Sequence, residues 1–140
     1  MDDTNTEKAL EMRYTHISIL VILSCCSMDS LNKDTIKGKY VYLNNDSSMI
    51  LYIKSEKIFS WSIKKNGKII KSQSGKWEEY DLGGKNPRLI IKGFCFPPGV
   101  SRAGNCTANY PAMIKRTLVN GQILIPIDTD SSEAALIKAE

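Results

Sequence analysis

Two Asn-Gly dipeptides, Asn66-Gly67 and Asn120-Gly121, each stand between two strand-like segments, and they constrain this chain more than any other feature. Asn-Gly accommodates the two positive φ values of a type I′ turn, whose twist matches that of paired antiparallel strands. The first predicts a hairpin of residues 58–65 with 68–73, the second a hairpin of 114–119 with 122–127. A two-residue loop also sets register: Lys65 is expected opposite Lys68, Ile63 opposite Ile70 and Trp61 opposite Ser72. Phe59, Trp61 and Ile63 then line one face, with Ser60, Ser62 and Lys64 on the other. That is an antiparallel sheet with one wet face.

Further strands are expected over 39–43, 49–54, 75–80 and 89–94, separated by turn-forming runs at 44–47 and 81–87. The count is eight strands, the number that closes a small up-and-down β-barrel. A chain of 140 residues suits one such domain, placed here over 38–140. The stretch 96–112, with Pro97-Pro98-Gly99 and Pro111, reads as the longest irregular segment. Residues 130–140 suit either a short helix capped at Ser131 or Ser132, or a last edge strand through 134–139.

The N-terminus reads as an address. Ile17-Ser18-Ile19-Leu20-Val21-Ile22-Leu23 is the most apolar run, too short to span a bilayer as a helix and of the right length for the core of a signal peptide. Met12-Arg13 ahead of it supplies a start and a positive flank, whereas Asp2, Asp3, Glu7 and Glu11 make the first residues unlike any signal. A start at Met12 is therefore expected. The alternative for the run is a buried β-strand. Ile22-Leu23-Ser24-Cys25 resembles the lipobox of bacterial lipoproteins, in which the cysteine is acylated and becomes the first residue after cleavage. The resemblance implies a signal over 1–24, lipidation at Cys25, a polar tether over 25–37, and an anchor facing the periplasm. The residue after Cys25 is not Asp, which by the same analogy points to the outer membrane.

Within the domain, Gly38-Lys39-Tyr40, Leu51-Tyr52-Ile53, Phe59-Ser60-Trp61, Gly67 and Ser74-Gly75-Lys76-Trp77 are similar to the pattern of small bacterial lipoproteins with lipocalin-like domains. The similarity covers residues 38–94, with Tyr40 where lipocalins carry the tryptophan of Gly-x-Trp. It implies a meander barrel and no catalytic residues.

The residues themselves leave little room for catalysis. The sole histidine, His16, falls in the expected signal, so a general base has to be a carboxylate, lysine or tyrosine. Glu78 and Glu79 are adjacent on a strand and point to opposite faces. Asp128 and Asp130 are too few for a calcium site. No glycine-rich loop opens a helix, and Cys-x-x-Cys is absent, so no cofactor or metal is expected. Cys95 and Cys106 are expected to form a disulfide in an oxidising compartment, contributing about 3 kcal/mol. Cys26 is left over, as an acylation neighbour, an intermolecular thiol or an inert residue.

Two function classes remain in view. One is a periplasmic binding module that neutralises another protein, as an immunity protein or inhibitor of a secreted toxin or lysozyme-type enzyme. The other is a lipocalin-like carrier of a small apolar ligand, with Trp61 and Trp77 lining its cavity. For the first, the loop 95–110 offers Phe96, Arg102 and Tyr110 as partner-binding residues, and the hairpin 64–76 offers Lys65 and Lys68 within a run of lysines. That run suits an acidic protein or an anionic membrane surface; the simpler reading is a wet sheet face with blunted edges. Nucleic acid is not an expected partner.

Overall fold

Apolar alternation in the sequence becomes face alternation in space. The computed structural model describes residues 31–82, 86–117, 120–128 and 134–140. The expected signal over 1–24, Cys25, Cys26 and the possible caps Ser131 and Ser132 lie outside these residues. The first hairpin joins β1 (Gly38–Asn44) to β2 (Ser47–Ile53), and a 3-10 turn over Ser55–Lys57 leads into β3 (Ile58–Lys65). The chain continues through β4 (Lys68–Lys76), β5 (Glu78–Asp81), β6 (Arg88–Cys95), β7 (Cys106–Met113), β8 (Lys115–Arg116), β9 (Ile123–Pro126) and β10 (Ala135–Lys138).

All pairings are antiparallel, and they form two sheets. A seven-stranded sheet runs β4-β3-β2-β1-β10-β9-β8, and a three-stranded sheet runs β5-β6-β7. The protein is thus mainly β, as expected, but no closed barrel forms. The chain crosses between the sheets at Trp77, between β4 and β5, and at Ile114, between β7 and β8. At those two corners the hydrogen-bonded ladder changes partner and stops being continuous. The tail is a strand, and β10 is internal, with β9 on one side and β1 on the other.

The core lies on one face of the central strands, while β4, β5 and β8 contribute no buried side chain. Tyr40, Met49, Leu51, Phe59, Leu89, Ile91, Phe94, Ile114, Ile125 and Leu136 are fully buried. At about 1.5–3 kcal/mol for each large apolar side chain removed from water, this face is the main stabilising term.

Three local expectations are corrected. Asn66 and Gly67 do take positive φ (50° and 74°), and Lys65 pairs with Lys68 as read from the turn. Beyond Lys64↔Ile69, however, Ile70 is an extra, unpaired residue, so Ile63 faces Lys71 and Trp61 faces Gln73. A β-bulge inserts one residue and shifts all later pairs. At the second Asn-Gly, Thr117 N–H donates to the Gln122 carbonyl at 2.8 Å, which closes a four-residue loop instead of a two-residue one. The Thr117 hydroxyl accepts from Gln122 N–H at 3.1 Å and stabilises that longer turn. Finally, residues 106–112 of the stretch read as irregular belong to β7, with Pro111 opposite Ile90. β7 is an edge strand of its sheet, the place where a missing N–H is tolerated.

Residues 31–37 of the expected tether are folded. Asn32 caps the one-turn helix α1 (Lys33–Ile36), its Oδ1 accepting from Asp34 N–H and Thr35 N–H at 2.9 Å each. Leu31 and Ile36 flank that cap at the positions of a hydrophobic staple, and both are buried. Lys138 donates to the Thr35 carbonyl, tying α1 to the last strand.

Buried phenols, Tyr40 and Tyr110 foremost, make the fold sensitive to alkali. Tyr40 donates to the Ile36 carbonyl at 2.6 Å and Tyr110 to the Pro126 carbonyl at 2.7 Å. Burial pushes the Tyr110 phenol up to about 12, against a smaller opposing pull from Arg102, and raises Tyr40 further still. Phenols ionise near 10 in the unfolded chain. Their contribution is therefore intact below pH 10 and is lost as pH rises from there through the folded values. Urea midpoints between pH 9 and 11.5 should fall more steeply in the wild type than in Tyr40→Phe/Tyr110→Phe; equal slopes would assign the alkaline loss to other groups.

Candidate functional site

One end of the domain gathers the candidate binding residues. The β1–β2 and β3–β4 turns meet there, with Asn66 N–H donating to the Asp46 carbonyl at 2.7 Å. The loop over 97–105 packs beside them. Gly99 sits at φ 91°, and a Cβ there would collide with the Asn44 side chain and come within 2.8 Å of the Tyr42 hydroxyl. Only glycine permits so close an approach of loop to strand. Residue 31 enters the domain at the other end, where Gly38 pairs with Ile53 and Lys33 with Glu79. A seven-residue strand separates the two ends by roughly 24 Å.

The loop is held at several points. Cys95 and Cys106 face each other across β6–β7, bonded as a disulfide with Cα atoms 4.0 Å apart, as the sequence led us to expect. Phe96 N–H donates to the Asn105 carbonyl at 2.9 Å, and Gly104 N–H returns to the Phe96 carbonyl at 3.2 Å. Asp128 accepts from Ser101 N–H at 3.0 Å and from its hydroxyl at 2.6 Å. That role differs from the metal ligand considered for it. Among the described residues, no group of three or more His, Cys, Asp or Glu side chains is placed to hold a metal.

This geometry divides the expected partner-binding residues. Phe96 is 2% exposed and Tyr110 8%. Both pack against Phe94 in an aromatic cluster, Phe96 edge-on at a centroid distance of 5.3 Å and Tyr110 stacked at 4.3 Å. Their rings are anchors of the core and cannot be anchors in a partner; the large apolar area of an aromatic ring drives it inward whenever a second sheet is there to cover it. Arg102 stays exposed, its guanidinium 4.3 Å from the Phe96 ring centroid. Lys65 and Lys68 are exposed at the hairpin tip. Lys71, not singled out with them, bridges the two regions, its Nζ 3.1 Å from Cys106 Sγ. The bulge at Ile70, invisible in the sequence pattern, puts Lys71 on the same side as Ile63 and lets it reach the loop.

Lys65, Lys68, Lys71 and Arg102 form no ion pair among the described residues, whereas Lys33, Lys37, Lys57 and Lys92 all do. Between Lys57 and Lys76 the chain holds six lysines and neither aspartate nor glutamate. The end is therefore braced and cationic, four basic side chains without an ion pair among the described residues standing near Asp46 and Asp128. Trp61 and Trp77, the candidate cavity lining, are each 3% exposed and belong to the core, with no acceptor for either indole N–H among the described residues.

Comparison with known proteins adds no neighbour: no family model, no curated protein and no solved structure matches the chain.

Proposed function

We propose that this chain is a non-catalytic binding module that neutralises an acidic protein partner, through the end bearing Lys65, Lys68, Lys71 and Arg102. The observation that carries the reading is that cationic end, rigid and unpaired, at the junction of the hairpin tip and the disulfide-closed loop. Preorganisation lowers the entropy cost of association, and unpaired like charges steer an oppositely charged partner. The disulfide suits an oxidising compartment. The meander, with its last strand returning to its first, supports a lipocalin-like domain in an opened form. With the lipobox-like Ser24-Cys25, the reading is a lipoprotein of the outer membrane, facing the periplasm.

The test is binding of the full chain to the product of an adjacent toxin-like gene. Lys65→Glu/Lys68→Glu, at exposed positions, should fold normally and weaken binding at least tenfold, about 1.4 kcal/mol. Rising salt should weaken the wild type in the same direction. Undiminished binding in that variant removes the hairpin tip from the interface; no binding by the wild type removes the neutralising role.

A further inference from the structure

We propose that the outer face of the seven-stranded sheet docks onto an anionic lipid bilayer. The surface is distinct from the cationic end and does not depend on an N-terminal anchor. Residues that alternate with the core point outward here. Ile50, Val41, Ile137 and Leu124 are consecutive cross-strand partners over β2, β1, β10 and β9, and so form one apolar row across four strands. Leu43 and Tyr52 flank it, 75% and 39% exposed, and Ile137 is 40% exposed. Most outward positions of a wet sheet face are polar; this row is not.

The charge on this sheet has one sign. None of its seven strands contains an aspartate or glutamate. On the outer face, Lys39, Lys54, Lys76 and Lys115 lie around the apolar row, and Lys54 reaches over the Tyr52 ring at 5.9 Å. An apolar centre ringed by lysines, on strands that themselves carry no acid, matches the two attractions that hold a peripheral protein on an anionic bilayer. Lysine stems can lie along the apolar surface while the ammonium groups meet the headgroups. Beside the row runs an open groove of about 450 Å³ with Tyr52, Ser60, Ser62, Ser72 and Ser74 along it. Its hydroxyls suit headgroup oxygens, with Ile50 and Trp61 also lining it. A second copy would bring like charges together.

The experiment places a tryptophan on the face of the full chain, as Leu43→Trp, and mixes it with vesicles whose lipids carry brominated acyl chains. With phosphatidylcholine containing phosphatidylglycerol, Leu43→Trp fluorescence should be quenched, and Tyr80→Trp, exposed on the other sheet, should not. Lys39→Glu/Lys115→Glu in the Leu43→Trp background should raise the lipid concentration for half-quenching at least tenfold. Absence of quenching at Leu43→Trp overturns the proposal and leaves an acidic protein as the occupant. Equal quenching at both positions, or in pure phosphatidylcholine, overturns it as well. A concentration-dependent emission shift without lipid would overturn it in favour of a second copy.

Discussion

Replacing Phe94 by alanine is expected to destabilise the domain by about 3–5 kcal/mol, the range for deleting a fully buried aromatic side chain. Phe94 is 0% exposed and sits where the two sheets meet. Its ring stacks on Tyr110 at 4.3 Å, meets Phe96 edge-on at 5.3 Å, and tilts against Trp61 of the larger sheet at 6.4 Å. Alanine removes all three contacts and leaves a cavity that rigid strands on both sides cannot fill. Small domains are stable by only about 5–15 kcal/mol, so the loss is a large share of the total. The melting temperature should drop by roughly 15 °C or more. Urea titration checks it, with Tyr80→Ala, at a 63% exposed position, expected to change stability by no more than about 0.5 kcal/mol. A change below about 1 kcal/mol in Phe94→Ala would show that the ring cluster is not what joins the sheets.

Removing the disulfide is expected to cost about 3 kcal/mol, because a closed loop with a sequence separation of 11 restricts the unfolded chain. Cys95→Ala/Cys106→Ala measures this term. The single variant Cys95→Ala reads something different. It frees Cys106, an exposed residue whose sulfur lies 3.1 Å from the Lys71 ammonium. A cation at that distance favours the thiolate. Cys106 in Cys95→Ala should therefore react with a maleimide faster than in Cys95→Ala/Lys71→Ala, with the difference greatest at neutral pH. Equal rates would mean that Lys71 leaves Cys106 once the bridge is gone. An unchanged urea midpoint in the double alanine variant would mean that the hydrogen bonds of Phe96, Ser101 and Gly104 alone close the loop.

The legible part of this fold is the part governed by neighbours in sequence. Asn66-Gly67 specified a turn because its backbone conformation is local, and Phe59, Trp61 and Ile63 specified a face because strand periodicity is local. Cys95 and Cys106 were legible as a pair from their spacing and from the expected compartment. Residues 31–37 were misread for a related reason. A single helical turn is too short for periodicity, and only the pattern Leu31-Asn32-x-x-Thr35-Ile36 marks it, as a cap with its staple.

Phe96 and Tyr110 show where local reading ends. In sequence they are aromatic residues in and beside a proline-rich loop, equally suited to bind a partner or to fill a core. Their burial depends on Phe94 and Trp61 arriving from two different sheets. The same holds for the barrel. Counting strands gives eight, but closure depends on whether hydrogen bonding continues around the corners at Trp77 and Ile114, which no strand propensity reports. By itself, the sequence determined most of the strands from β1 to β6, the Asn66-Gly67 turn, the inward face and the pairing of two cysteines, because backbone conformation and side-chain alternation are set within a few residues. Only the tertiary structure decided the bulge at Ile70, the reach of Lys71 to Cys106, the burial of the loop aromatics and the acid-free outer face, because each depends on contacts between segments far apart in the chain.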